Sequence, residues 1–190
     1  MEDPFNFSAL WVVQPGHLPA SRAKYQILTG KKGELLANAA DTERRGWVPE
    51  FLKHIPDASV LAVDTGEGTP LLTMTMRHTK WTTEFRDPEG NVFGTIKMGD
   101  TRRHYDILDE SGQILAKVVG DLGLKTFSVS DTARSKVAVV RKTRAGFFKE
   151  MLTSNDHYKV EFIGPVPSSP LRTFISMVPI VLDLILYEPV

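Results

Sequence analysis

The best candidates for binding chemistry in this chain are two groups of basic side chains. The larger group surrounds one hairpin and the segment after it, and it consists of Arg134, Lys136, Arg141, Lys142, Arg144 and Lys149. The smaller group is Arg102, Arg103 and His104, which the fold could bring near Arg77, His78 and Lys80. Arginine and lysine form charge-assisted hydrogen bonds to phosphate oxygens, so both groups are candidates for binding anionic headgroups. The alternative is a solvated strand face whose charges protect a sheet edge.

Side chains that catalysis requires form no recognisable arrangement. The chain has no cysteine, which excludes disulfides, thiolate nucleophiles and Cys-based metal sites. Its five histidines share no spacing, so we expect no metal site. The Gly30–Gly33 run lacks the spacing of a phosphate-binding loop, and no Gly-x-Ser-x-Gly nucleophile motif is present. The sequence therefore predicts a protein that is not an enzyme and needs no cofactor.

The charge balance limits the classes of partner. The chain has 23 basic and 23 acidic residues among 190, so no overall field draws it to nucleic acid, and we expect no nucleic-acid partner. The Met1–Pro4 start is acidic and lacks the basic-then-apolar order of a signal peptide. We expect a cytoplasmic protein, either free or bound peripherally to the inner face of the membrane.

The segment 168–187 predicts a helix that is apolar on nearly every side. Ser169 can cap its start, and Pro170 suits the first helical position because it has no amide hydrogen to leave unpaired. At about 100° per residue its polar positions form one narrow stripe. That stripe consists of Arg172, Ser176, Pro179 and Asp183. A helix of this kind must lie inside a protein or inside a bilayer.

The polar stripe favours the interior of a protein. Arg172 and Asp183 are about 16 Å apart along the helix axis, so they cannot pair with each other. Each needs a buried partner, which surrounding strands can supply and lipid cannot. From Arg172 to Tyr187 the helix has only sixteen residues, fewer than the ~20 that span a bilayer. A membrane-inserted helix remains the alternative.

The middle of the chain repeats a strand-turn-strand unit. The turns Asp87–Gly90, Asp109–Gly112 and Asp131–Arg134 begin 22 residues apart, between short runs of β-type residues. At this offset six apolar positions align on either side of the turns, and they are Phe85, Ile107, Val129, Ile96, Val118 and Val140. Two less regular units at residues 25–37 and 60–76 precede them. Together these units predict five hairpins.

Five hairpins with two further strands, Leu10–Val13 and Tyr158–Ile163, give twelve antiparallel strands. So many short strands must close into a barrel or stack as a sandwich, and the interior of a twelve-stranded barrel is too wide for its own side chains to fill. The apolar C-terminal helix is the natural plug. The aligned small residues Gly94, Ala116 and Ala138 would let it approach the wall. Taken alone they fit ordinary strand variation equally well, but together with the helix they favour the plugged barrel.

Several segments carry a resemblance to a known family. They are 127–131, the run 139–153 with its Gly-x-x-Lys-Glu-x-x-Thr motif, 156–160, and the helix with Pro170-Leu-Arg-Thr and Asp183. The chain resembles the phospholipid scramblase-related and LURP-one-related proteins of the Tubby C-terminal-like superfamily, with small bacterial members most similar. The resemblance covers roughly residues 25–187. It implies a mainly β fold in which a twelve-stranded antiparallel Tubby-like barrel encloses the C-terminal hydrophobic helix.

The expected organisation is a single domain over residues 1–190. It comprises an N-terminal lead and first strand (1–24), the hairpin repeats (25–163) and the central helix (168–187). The resemblance implies a non-enzymatic protein that binds phospholipid or acts as a scramblase, with anionic phospholipid or a membrane surface as partner. The alternatives are a true scramblase with a membrane-inserted helix, and a carrier that holds an apolar ligand in the barrel. The segment 153–159 has one acidic residue, so calcium dependence is not expected.

Overall fold

The computed structural model describes residues 4–14, 24–29, 33–42, 46–143, 157–165 and 167–186. The strands are β1 Ala9–Val13, β2 Tyr25–Thr29, β3 Glu34–Asp41, β4 Ala58–Thr65, β5 Pro70–Arg77, β6 Thr82–Arg86, β7 Val92–Met98, β8 His104–Asp109, β9 Ile114–Gly120, β10 Thr126–Asp131, β11 Lys136–Thr143 and β12 His157–Phe162. The helices are α1 Glu50–Lys53 and α2 Leu171–Leu186.

Each strand pairs antiparallel with its neighbour in sequence, and β1 also pairs with β12, which closes the sheet into a barrel. The predicted twelve-stranded antiparallel barrel is confirmed. Closure leaves no sheet edge open to a second chain. Because successive strands run in opposite directions, the turns after odd-numbered strands lie at one end of the barrel and those after even-numbered strands at the other.

The three regularly spaced turns are hairpin turns, as predicted. They begin at Asp87, Asp109 and Asp131. In each, the aspartate side chain accepts a hydrogen bond from a backbone N–H four residues later, at 2.8–2.9 Å. The fourth residue of each turn has positive φ, which suits Gly90 and Gly112, and Arg134 adopts the same conformation with φ 64°. This shared turn chemistry fixes the register of the hairpins that it joins.

Helix α2 lies inside the barrel, and 13 of its 16 residues are buried. The six aligned apolar positions of the repeat face it, and each is 0–1% exposed. The helix begins at Leu171, and the carbonyl of Pro170 accepts the N–H of Phe174 at 3.1 Å. Pro170 thus occupies the capping position, one residue earlier in the helix than predicted. The interior location predicted for this helix is confirmed.

Gly94 is small because α2 passes close to the wall. The Phe174 ring stacks on Phe93 and meets Phe85 edge-on, with ring centroids 5.3 and 5.2 Å apart. A Cβ atom at Gly94 would lie 2.2 Å from Cζ of Phe174 and 2.7 Å from the carbonyl oxygen of Leu108. The predicted close approach of the helix at this position is therefore confirmed.

The polar stripe of α2 finds partners at both ends of the barrel. The Tyr25 hydroxyl donates to Oδ2 of Asp183 at 2.8 Å, and the Tyr158 hydroxyl donates to Oδ1 at 3.3 Å. Arg172 Nη1 donates to Oδ1 of Asn6 at 2.6 Å. Ser176, the third stripe residue with a polar side chain, donates its hydroxyl to the carbonyl of Arg172 at 2.9 Å. Residues outside the helix thus hold both buried ionisable side chains, as a buried polar group requires.

A short outer layer covers β4 and β5. Val48 and Leu52, from the connection that carries α1, pack on Ala62 of the outer wall. Trp47 Nε1 donates to Oδ1 of Asp64 at 2.8 Å. On the outer face of these two strands Ala62 and Thr75 are 0% exposed, and Thr75 pairs with Val60, which packs against this layer.

Gly94→Ala should destabilise the protein by about 1–3 kcal/mol, because a methyl group in a filled core forces the surrounding atoms to move. The matched control is Gly46→Ala, since no atom lies within 4 Å of a Cβ built there. Urea unfolding measures both changes. Equal stability of the two variants would contradict a close contact between the helix and the wall.

Tyr25→Phe should lower the free energy of unfolding by about 1–3 kcal/mol, because it removes a hydrogen-bond donor from a carboxyl oxygen buried inside the barrel. Tyr105→Phe is the matched control, because the Tyr105 hydroxyl donates at 2.7 Å to a neutral acceptor, the carbonyl of Arg102. This control should lose about 1 kcal/mol. A loss in Tyr25→Phe no larger than that in the control would show that Asp183 does not depend on the hydroxyl.

Candidate anion-binding surface

Among the described residues, the tight hairpin turns at the two ends of the barrel differ in the sign of their net charge. We define the basic end by the turns 78–81, 99–103 and 121–125 and the last residues of β11, and the acidic end by the turns 66–69, 87–91, 110–113 and 132–135. The charged residues in the turns of the basic end are Lys80, Asp100, Arg102, Arg103, Asp121 and Lys125. Those in the turns of the acidic end are Glu67, Asp87, Glu89, Glu110 and Arg134. Cations thus outnumber acids in the described turns at one end, and acids outnumber cations in those at the other.

Backbone hydrogen bonds hold the basic side chains of this end next to one another. The N–H of Gly120 donates to the carbonyl of Arg103 at 2.7 Å, and Nε of Arg103 donates to the carbonyl of Gly120 at 3.2 Å. The N–H of Lys142 donates to the carbonyl of Lys125 at 2.8 Å. Arg102 lies in the same turn as Arg103 and is exposed. Nζ of Lys142 lies 5.7 Å from the centroid of the inward-facing Tyr158 ring, so this side chain is engaged within the barrel. Arg102, Arg103 and Lys125 therefore provide three cations on neighbouring turns, and phosphate oxygens could contact several of them at once.

Arg141 is already engaged by acidic and basic neighbours on the outer wall. Its Nη1 donates to Oε2 of Glu161, and Nζ of Lys159 donates to Oε1 of the same carboxylate at 2.7 Å. The hydrogen bond from Lys159, with the charges of Lys159 and Arg141, holds the pKa of Glu161 below its usual range. Arg141 is thus less available to an external anion than Arg102 or Lys125.

The second predicted group lies at the same end. The N–H of Met98 donates to the carbonyl of Trp81 at 3.0 Å, which joins the turn containing Lys80 to the strand that leads to Arg102. A hollow of about 690 Å³ opens on the outer wall beside them. Its lining residues are Arg77, Lys80, Thr82, Glu84 and Lys97. Glu84 faces this hollow and pairs with Arg77 at 3.5 Å, so the hollow is less favourable to an anion than the turns.

The larger predicted group does not lie together. Arg134 and Lys136 are at the acidic end, whereas Arg141 and Lys142 are at the basic end of β11. A strand rises about 3.3 Å per residue, so Lys136 and Lys142 are roughly 20 Å apart. The prediction of one basic group relied on proximity in sequence, but residues several positions apart on an extended strand are far apart in space. The other two members, Arg144 and Lys149, lie outside the described residues.

Lys125 was missed as a candidate, although the repeat contained the signal for it. An offset of 22 residues that relates turns at one end also relates those at the other, since each repeat contains two strands. Lys80, Arg102 and Lys125 are spaced by 22 and 23 residues, so they recur at one end of the barrel. If the turns after odd-numbered strands are considered separately from those after even-numbered strands, these three residues fall into one group and Arg134 into the other.

Comparison with known proteins gives a family and a fold. The scramblase family model matches residues 59–188, about two thirds of the chain. An X-ray structure of a protein from Arabidopsis thaliana is similar, with a TM-score of 0.56 at 15% identity over 96% of each chain. A search of curated proteins gives no match. The chain belongs to the scramblase family, its barrel is Tubby-like, and the predicted resemblance is confirmed. This membership points to a phospholipid-related role.

Two further properties bear on the site. Among the described residues, neither helix combines the length and apolar character needed to cross a bilayer. In the same part of the chain, no three His, Cys, Asp or Glu side chains are grouped so that they could hold a metal ion.

Glu161→Gln should weaken the dependence of stability on pH. Because the pKa of Glu161 is lowered on folding, its contribution is present above the ordinary value of 4.5 and is lost as pH falls through the folded value. For a surface network the loss should be at most about 1 kcal/mol. Urea unfolding at about pH 7 and about pH 3 measures it, with Glu110→Gln as the control of equal charge. If the free energy of unfolding of Glu161→Gln depends on pH as strongly as that of the wild type, the ion pairs of Glu161 are not the cause of that dependence.

Proposed function

We propose that the protein binds anionic phospholipid headgroups at its basic end, without catalysis, and associates peripherally with a membrane. Membership of the scramblase family supports the class of ligand. The observation that carries the proposal is the convergence of Arg102, Arg103 and Lys125 on neighbouring turns at one end. A flat array of cations suits a charged surface, because each basic residue near an anionic membrane contributes about 1 kcal/mol.

The separation of charge also favours one orientation. The acidic end would be repelled by an anionic surface, so the barrel should approach with its basic end first. An overall net charge of zero then does not prevent binding, because the Debye length at physiological salt is about 8 Å and the acidic turns lie beyond it. The strand length of β11, about 20 Å between its terminal turns, sets that separation.

Binding is favoured over the two alternative functions. If α2 left the barrel for a bilayer, Asp183 would exchange two tyrosine hydroxyl partners for hydrocarbon, and Arg172 would lose Asn6. A carrier of an apolar ligand would need the interior space that the same helix fills. Movement of lipid between leaflets can be tested on the same vesicles with fluorescent lipid and an external quencher, and we expect no transfer.

The proposal predicts salt-sensitive binding to vesicles that contain phosphatidylserine, and weak binding to pure phosphatidylcholine. Arg102→Glu with Lys125→Glu should weaken the former more than tenfold, since two contributions of about 1 kcal/mol become repulsive. Vesicle sedimentation over a range of NaCl concentrations measures both effects.

The matched control is Arg134→Glu with Lys136→Glu, which makes the same change of charge at the acidic end. Both positions are exposed, as are Arg102 and Lys125. The control should bind nearly as tightly as wild type. Equal losses in the two double variants would refute binding by the basic end, and a wild type that ignores anionic vesicles would refute the function itself.

A further inference from the structure

The turn between β9 and β10 projects a leucine into solvent at the centre of the basic end. Leu122 is 87% exposed, whereas the other large apolar side chains that are exposed among the described residues range from 36% to 66%. Val119, three residues earlier in β9, lies on the outer wall of the same hairpin and is 41% exposed. An apolar side chain held this far into water gains most by entering an apolar phase.

The tip is firmly built, so the exposure of Leu122 is a property of the turn. Oδ1 of Asp121 accepts the N–H of Lys125 at 2.9 Å, and the carbonyl of Asp121 accepts the N–H of Leu124 at 3.2 Å. Leu124 has φ 52° and packs against the core. Leu124 therefore fixes the turn to the core, and Leu122 is directed outward.

Charge decides which partner suits this tip. Lys125 is in the same turn, and Arg103 is hydrogen bonded to Gly120 at the base of the turn. Two acids lie close by: Asp121, directly before Leu122 in the same turn, and Asp100 in the neighbouring turn. The Asp121 carboxylate is occupied by backbone N–H groups of its own turn. Cations beside an apolar tip fit an anionic bilayer, where phosphates lie above the acyl chains.

The acidic end provides the contrast. Phe7, Leu35 and Ile163 are also exposed, but they lie at that end, among turns that an anionic surface repels. Phe51, which is 66% exposed, lies beside Gly90, which is in one of the same turns. Only at the basic end do the described residues combine an exposed apolar tip with surrounding cations.

We propose that the β9–β10 turn is a membrane anchor, in which Leu122 enters the acyl boundary of an anionic bilayer while Arg102, Arg103 and Lys125 contact the headgroups. This inference rests on the proposed function and adds to it a depth of insertion and a defined orientation. The barrel would stand with its basic end on the bilayer and its acidic end in solution.

A single fluorescent label tests the insertion directly, because the chain contains no cysteine of its own. Leu122→Cys carrying the dye NBD should shift to the blue and brighten at least twofold on phosphatidylserine vesicles, and lipids spin-labelled near the headgroup should quench it. Thr132→Cys carrying the same dye, in an exposed turn of the acidic end, should show neither change.

Leu122→Ser provides the second measurement. It should weaken vesicle binding about tenfold, from the lost burial of part of a leucine side chain, and by the same factor at low and high salt. The loss in Arg102→Glu with Lys125→Glu should instead shrink as salt rises. Ile163→Ser, an equivalent change at the acidic end, should leave binding unchanged.

The outcomes separate the two proposals. Vesicle binding with no spectral change at position 122 and no loss in Leu122→Ser overturns the anchor and leaves headgroup binding in place. A wild type that binds no anionic vesicle overturns both. A spectral change at position 122 that appears with rising protein concentration and without lipid assigns the tip to a second copy, and it also overturns the anchor.

Discussion

The enclosure of an apolar helix that carries two ionisable side chains is the constraint on which the rest of this structure depends. A twelve-stranded barrel cannot fill its own interior, and α2 cannot remain in water, so each requires the other. Asp183 draws Tyr25 of β2 and Tyr158 of β12 toward one end of the helix. At the other end Arg172 meets Asn6, in the segment that precedes β1. The strands that close the barrel are thus the ones tied to its axis.

The same arrangement aligns the electrostatics of the barrel with those of the helix. The chain enters α2 after β12, at the acidic end, and Asp183 near the helix C-terminus meets residues of the basic end. A helix carries partial positive charge at its N-terminus and partial negative charge at its C-terminus, so each end of α2 lies at the end of the barrel with the opposite charge. The separation of acidic and basic turns is favourable to the fold as well as to a charged partner.

The sequence predicted the barrel well because each inward position obeys one local rule. Phe85, Ile107 and Val129 recur at the repeat offset and are all buried against α2. The sequence predicted the surface less well. Which surface residues lie together depends on the direction of each strand as well as on the repeat, and for this reason Arg134 was predicted to lie with Arg141 although they are at opposite ends of β11. The burial of Thr75 in β5 was also hidden, because this residue alternates as an exposed position would, whereas its neighbour Val60 lies under the distant 46–57 connection.

A fold fixed from inside leaves its turns free to vary. The Arabidopsis protein has this fold at 15% identity. So low an identity is possible because the barrel requires only a pattern of inward-facing apolar residues and a helix that fills the interior. Gly94 illustrates that demand, since its lack of a side chain is set by Phe174 and not by any partner. No such demand acts on Leu122, Arg102 or Lys125, which contribute nothing to the packing around α2. Residues of this kind at the end of a closed barrel are where a chain can acquire a binding surface without disturbing its core.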